Sequence, residues 1–113
     1  MTYLVTGAAG FIGARFVEEC NFRDIPLVSV DSHEAFKREE HEGLDFGLKI
    51  PRDHIRYFLY RERPELNAII HLGACTDTTE MDIDYLLRTN SMYSQQLWEF
   101  ATYNRIPFIY ASS

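Results

Sequence analysis

The chain opens on the stretch YLVTGAAGFIGARF, residues 3–16, in which Gly7, Gly10 and Gly13 recur at every third position. Tyr3–Thr6 is a short apolar and β-branched run closed by glycine, the pattern of a buried strand. Ile12, Phe16, Val17 and Cys20 then fall at helical spacing and predict a helix with one apolar face, ending between residues 21 and 26 where Pro26 disfavours a helical turn. Fixing a glycine costs backbone entropy, so three of them between a strand and a helix imply a steric need. The first lets the chain turn sharply off the strand. The second lets main chain approach a ligand with no Cβ in the way, and the third lets the helix pack close to the sheet.

The rest of the chain repeats the alternation. Residues 27–30, Leu-Val-Ser-Val, predict a second strand ending at Asp31, which completes a βαβ unit. Residues 32–49 are polar and charge-rich and read as a loop with a short helix near 34–40, the ordinary look of a solvated surface. A helix is expected over 53–62, with Ile55, Phe58 and Leu59 on one side, and a strand over 68–72. After a loop over 74–82, the longest helix runs from about 82 to 103, with Leu86, Asn90, Tyr93, Leu97 and Phe100 or Ala101 as its inner stripe. Residues 108–111 form the last predicted strand. Strands alternating with helices place the chain in the α/β class with a parallel sheet.

At 113 residues the chain is one domain in size, and its 46% hydrophobic residues are enough for a real core. The formal charge of -6, with no basic stripe, argues against nucleic acid as a partner. No apolar run is long enough to span a membrane, and the glycine stretch comes too early for a signal peptide. Cys20 and Cys75 fit no metal or redox spacing and read as small apolar groups in a reduced, cytoplasmic protein. His33, His41, His54 and His71 show no helical zinc spacing, so no metal is expected. His71, inside an apolar strand, reads as a satisfied core histidine rather than a catalyst.

GxxGxxG differs from the commoner GxGxxG, yet it stands in the required place between a strand and an amphipathic helix. A helix N-terminus there offers free amides and partial positive charge to a pyrophosphate. Asp31, about 20 residues on at the end of the second strand, is where an acid binds a ribose hydroxyl. The features together point to a dinucleotide. A carboxylate suits the free 2′-hydroxyl of NAD, while Lys37 and Arg38 could offset its repulsion of the extra phosphate of NADP, so either form stands open.

VTGAAGFIG, an acid after the second strand, AIIHLGA, an Asn in the long helix and a strand ending in serines resemble, in this order along the whole chain, the extended short-chain dehydrogenase/reductase superfamily. HLGACTDTTEMD, TNSMYS, IPFIYASS and EHEGLDFG are similar to the ADP-glyceromanno-heptose 6-epimerases within it. The resemblance implies a Rossmann-type parallel sheet flanked by helices, and epimerisation of a nucleotide sugar by transient oxidation with NAD or NADP. It also implies a role in lipopolysaccharide core synthesis and a homo-oligomer. In such enzymes a Tyr acts as acid and base, a nearby Lys lowers its pKa, and a Ser or Thr bonds the reacting oxygen. By position, the resemblance assigns Gly7, Gly10, Phe11, Ile12 and Gly13 to the pyrophosphate loop and Asp31 and Ser32 to the ribose. Leu72, Gly73, Ala74, Cys75 and Thr76 fall along the cofactor, Asn90 supports its nicotinamide end, and Ser113 is the catalytic hydroxyl. Ser112, Thr78 and Thr79 are possible neighbours of the substrate.

The superfamily's YxxxK, which follows the serine strand, has no counterpart up to Ser113. The expectation is therefore the N-terminal part of a dinucleotide-binding domain over residues 1–113. The sheet is incomplete on its C-terminal side, the substrate-binding part is absent, and this stretch alone is inactive. Two other readings stand beside it: a non-catalytic dinucleotide-binding module, and an epimerase or dehydratase for another nucleotide sugar.

Overall fold

The computed structural model describes residues 1–72 and 83–110, with the backbone alone for 83–92. Five parallel strands form one sheet: β1 Tyr3–Thr6, β2 Leu27–Asp31, β3 Leu48–Pro51, β4 Ala68–His71 and β5 Phe108–Tyr110, in the spatial order β3-β2-β1-β4-β5. The helices are α1 Phe11–Phe22, the short α2 Ile55–Tyr57, and α3 Ile83–Tyr103.

Alternate residues of each strand go to opposite faces. Leu4, Val28, Val30 and Ile69 pack with Ile55, Phe58 and Leu59 and with Leu97, Phe100 and Ala101 of α3. Val5, Leu27, Ala68 and Ile70 pack on the other face with Val17 and Cys20 of α1 and with Ala35 and Phe46. Both faces are covered, which is why the strands read as continuous apolar runs. Chain order runs β1 to β2 to β3 in one direction and resumes at β4 and β5 in the other. The sheet thus reverses between β1 and β4, where α/β folds bind ligands at the carboxyl ends of the strands.

Three expectations need correction. The loop over 32–49 ends in a strand, β3, whose register sets Asp31 opposite Pro51. Its Leu-Lys-Ile-Pro sequence lacks the continuous apolar run of an inner parallel strand, and an edge strand tolerates both the lysine and the proline. The helix over 53–62 is a composite: a tight 3₁₀ turn at Arg52–His54, one α-helical turn, then a wide π turn at Phe58–Glu62 that ends at Arg63 with φ 46°. Finally, Ile12 is not on the buried face of α1. It is 66% exposed, while Gly13, Val17 and Cys20 are buried. At 100° per residue, Ile12 lies a quarter-turn from the line that Gly13 sets against the sheet.

Gly13 decides that line. A Cβ there would meet the Gly7 carbonyl oxygen, and would come within 2.7 Å of the Gly7 carbonyl carbon and 2.9 Å of Ala8 Cα, all of them backbone atoms that cannot swing aside. Gly7 itself has φ 66°, the left-handed region that glycine enters without penalty. The β2–β3 connection is fixed by similar means. Ser29 Oγ donates to the Phe46 carbonyl at 2.6 Å. Asn21 and Asp45 exchange two hydrogen bonds of 2.8 and 2.9 Å between the end of α1 and this segment. Replacing Gly13 by Ala is expected to destabilise the fold by about 3 kcal/mol, measured as a shift of the urea-unfolding midpoint. A Gly13→Ala protein as stable as the parent contradicts this packing.

Candidate functional site

The turn from β1 into α1 starts with the Gly7 amide donating to the Val30 carbonyl at 2.8 Å, which ties it to β2. Gly10 caps α1 in an extended conformation, with no side-chain cap and no acid in the first helical turn. Its amide donates to the Gly7 carbonyl at 3.0 Å. The helix therefore presents its leading amides with no side chain competing for them, which suits an anion. A Cβ on Gly10 would stand 3.3 Å from the Gly7 oxygen, so only glycine leaves this surface bare without displacing the turn. Phe11 is 80% exposed. Like Ile12, it offers main chain rather than a packed side chain.

Asp31 lies at the carboxyl end of β2 and is buried. Its Oδ2 accepts the Ala9 amide at 2.9 Å, and its Oδ1 accepts the Ser32 amide at 2.7 Å. Arg52 Nη2 stands 3.5 Å from Oδ1. A carboxylate has about four lone-pair directions, so room for a hydroxyl remains. Ser32 Oγ accepts the Ala35 amide at 3.3 Å and starts the first of two 3₁₀ turns. The sequence pointed to Lys37 and Arg38 as the cations near Asp31. The structure brings Arg52 to the carboxylate, because β3 ends beside β2, while Arg38 reaches the Ala9 carbonyl at 3.4 Å. His41 also reaches that carbonyl, with Nε2 at 2.8 Å. His41 lies in the stretch 32–49 that reads as polar surface, and Arg52 falls between that stretch and the helix expected over 53–62. Only recognition of the edge strand could have drawn attention to Arg52.

At the reversal point, Thr6 of β1 pairs in register with His71 of β4. Thr6 Oγ1 lies 2.6 Å from His71 Nδ1 and accepts the Leu72 amide at 3.0 Å. His71 Nε2 lies 2.8 Å from Ser94 Oγ on α3. His71 is 1% exposed, and burial followed by the charge of Arg52 lowers its pKa from 6.5 to about 4. It is a neutral core histidine bonded on both ring nitrogens, as its place in an apolar strand suggests. Ser94 is one helical turn beyond Asn90, so the chain Thr6–His71–Ser94 fixes the part of α3 that carries Asn90. Burial raises the Tyr93 phenol well above its ordinary value, with Arg52 opposing and Asp31 reinforcing the shift. That is the reverse of what a phenol acting as acid and base at neutral pH requires.

The structure thus brings Gly7, Gly10, Phe11, Ile12, Gly13, Asp31, Ser32 and Leu72 to the carboxyl edge of the sheet. Gly73, Ala74, Cys75, Thr76, Thr78, Thr79, Ser112 and Ser113 lie outside the described residues, and Asn90 is described by its backbone alone. Among the described residues no helix is long and apolar enough to cross a membrane.

Residues 3–113 match the family model described as NAD dependent epimerase/dehydratase family. The chain is 42% identical over 118 residues to an ADP-L-glycero-D-manno-heptose-6-epimerase of Cupriavidus pinatubonensis, covering 100% of this chain and 35% of that protein. It is 36% identical over 120 residues to the protein of the same name from Fusobacterium nucleatum, covering 97% and 34%. The chain therefore spans about a third of the length of these curated relatives. The crystal structure of Helicobacter pylori ADP-L-glycero-D-manno-heptose-6-epimerase superposes with a TM-score of 0.77 at 25% identity, over 99% of this chain and 39% of that one.

The shifted pKa of His71 gives a signed prediction. The folded state holds the ring neutral down to about pH 4, whereas the unfolded chain takes up a proton near 6.5. The stability attributable to the neutral ring is complete above pH 6.5 and is lost as pH falls toward 4, by about 3 kcal/mol. Urea unfolding of the parent and of His71→Gln across this range checks it: the difference between the two should vary with pH between 6.5 and 4, and a constant difference contradicts the buried neutral ring.

Proposed function

The chain belongs to the NAD dependent epimerase/dehydratase family, and from that premise we propose that it supplies the dinucleotide-binding part of a nucleotide-sugar epimerase. The observation that carries the reading is the bare main chain at the start of α1, aligned with an acid at the end of β2 and set at the point where the sheet reverses. The residues fit the group. Gly7, Gly10, Phe11, Ile12 and Gly13 would hold the pyrophosphate through backbone amides and the helix terminus, and Asp31 with Ser32 would hold the adenosine ribose. Leu72, Gly73, Ala74, Cys75 and Thr76 would line the middle of the cofactor, and Asn90 would support its nicotinamide end.

The bound NAD or NADP would supply reversible hydride transfer at a sugar carbon, the chemistry an epimerisation through a transient ketone needs. The chain's own contribution is to hold and orient. The turn fixes the phosphates, Asp31 fixes the ribose, and the Thr6–His71–Ser94 chain holds α3 against the sheet. Ser113, three residues beyond β5 in the sequence, would donate a hydrogen bond to the reacting sugar oxygen. The names of the two curated relatives support ADP-glyceromanno-heptose as substrate, inverted at C6. The proposal extends from there to a role in lipopolysaccharide core synthesis, in the cytoplasm and as a homo-oligomer.

Calorimetric titration of the intact protein with NAD and NADP tests the cofactor reading. Gly10→Val should weaken binding of the preferred form by at least about tenfold, with the sheet and helices intact by circular dichroism. Equal binding by parent and variant contradicts it. Ser113→Ala should lower kcat for epimerisation of the ADP-heptose by about 100-fold while cofactor affinity stays constant, followed by proton NMR of the sugar. Full activity in this variant contradicts the assignment of Ser113.

A further inference from the structure

We propose that His41, in the segment between β2 and β3, is a positioning residue for the phosphate-binding turn. The inference rests on the dinucleotide reading and adds a residue to it. His41 is buried at 7% exposure, and its ring meets Phe46 edge-on at 5.6 Å between centroids. Its Nε2 lies 2.8 Å from the Ala9 carbonyl oxygen. A carbonyl only accepts, so Nε2 carries the proton and donates. Arg38 Nη1 adds a longer bond of 3.4 Å to the same oxygen.

The Ala9 carbonyl and the Gly10 amide belong to one planar trans peptide, so the direction of one sets the direction of the other. Both ends of this plane are held: His41 fixes the carbonyl, and the Gly7 carbonyl accepts the Gly10 amide at 3.0 Å. The preceding peptide is held through the Ala9 amide by Asp31 at 2.9 Å. The two planes that lead into the first turn of α1 are therefore locked from outside the glycine stretch, by an acid on one side and an imidazole on the other. His41 can do this because its own segment is anchored by the Ser29–Phe46 and Asn21–Asp45 bonds. Without the imidazole the peptide at 9–10 keeps only the Gly10–Gly7 bond and the longer Arg38 bond, so it is held less firmly against tilting, and the amides of Phe11 and Ile12 tilt with it. His41 acts through Ala9.

The test uses the intact protein and two variants, His41→Leu and His41→Gln, with ADP-ribose and adenosine as probes. Gln can present an amide donor to the Ala9 carbonyl and Leu cannot. His41→Leu should bind ADP-ribose about tenfold more weakly, and His41→Gln should stay within about threefold of the parent. Adenosine, which lacks the pyrophosphate, should bind all three alike. Nitrogen-15 NMR of the unmutated protein should find His41 protonated at Nε2, and this reading does not depend on whether a variant folds. The proposal is overturned if His41→Leu binds ADP-ribose as the parent does, if both probes weaken together, if Gln fails to restore binding, or if Nε2 is unprotonated. If the parent itself binds no ADP-ribose, the dinucleotide reading falls and takes this one with it. If the parent binds and the Leu variant binds equally, only the role of His41 falls.

Discussion

The close approach of α1 to the turn that leaves β1 is the constraint on which the rest of this edge depends. The helix can lie there only because Gly13 presents no Cβ to the Gly7 carbonyl. That proximity turns the helix so that Val17 and Cys20 go to the core while Ile12 faces out. It also directs the helix terminus at the carboxyl edge of the sheet, where the strand order reverses. Packing and the proposed anion binding are thus one geometric arrangement seen from two sides. The glycine that closes the interface also sets where the free amides point.

Asp31 links this arrangement to the proposed ribose site. Its carboxylate is bound by Ala9 and Ser32 amides and approached by Arg52, so it is a structural group in its own right, apart from the recognition proposed for it. An acid in this place organises the turn before any ligand arrives, which reduces the ordering cost of binding. Arg52 also bears on the choice between NAD and NADP. It sets a positive charge beside an acid whose unopposed field would repel a 2′-phosphate. On the opposite face, the Thr6–His71–Ser94 chain ties the ends of two strands to α3 without placing a charge in the core.

Where the sequence is periodic or sterically demanding, the structure follows it. The strands at 3–6, 27–31 and 68–71 are apolar because both faces of the sheet are covered, and the glycine spacing announces the turn. The long helix starts at Ile83, one residue from its expected start; Leu97, Phe100 and Ala101 of the expected stripe are buried with Tyr93 packed against them, while the side chains of Leu86 and Asn90 lie outside the described residues. What stayed hidden depends on edges and on contacts distant in sequence. β3 carries Lys49 and Pro51 because an edge strand needs neither an apolar face nor every ladder bond, and so it reads as loop. Missing β3 meant missing Arg52, which only the β2–β3 register brings to Asp31. His41 sits in a charged run whose composition says surface, yet one hydrogen bond across 32 positions of sequence puts it beneath the glycine turn.

The central claim is that backbone amides at the start of α1, and not side chains, receive the pyrophosphate. The most direct measurement follows the nitrogen-15 and amide-proton resonances of the intact, isotopically labelled protein as NAD is added. The account predicts that the largest shifts fall on Gly10, Phe11, Ile12 and Gly13, with smaller ones at Ser32. Saturating NAD that leaves those four amides unmoved while resonances elsewhere shift would contradict it.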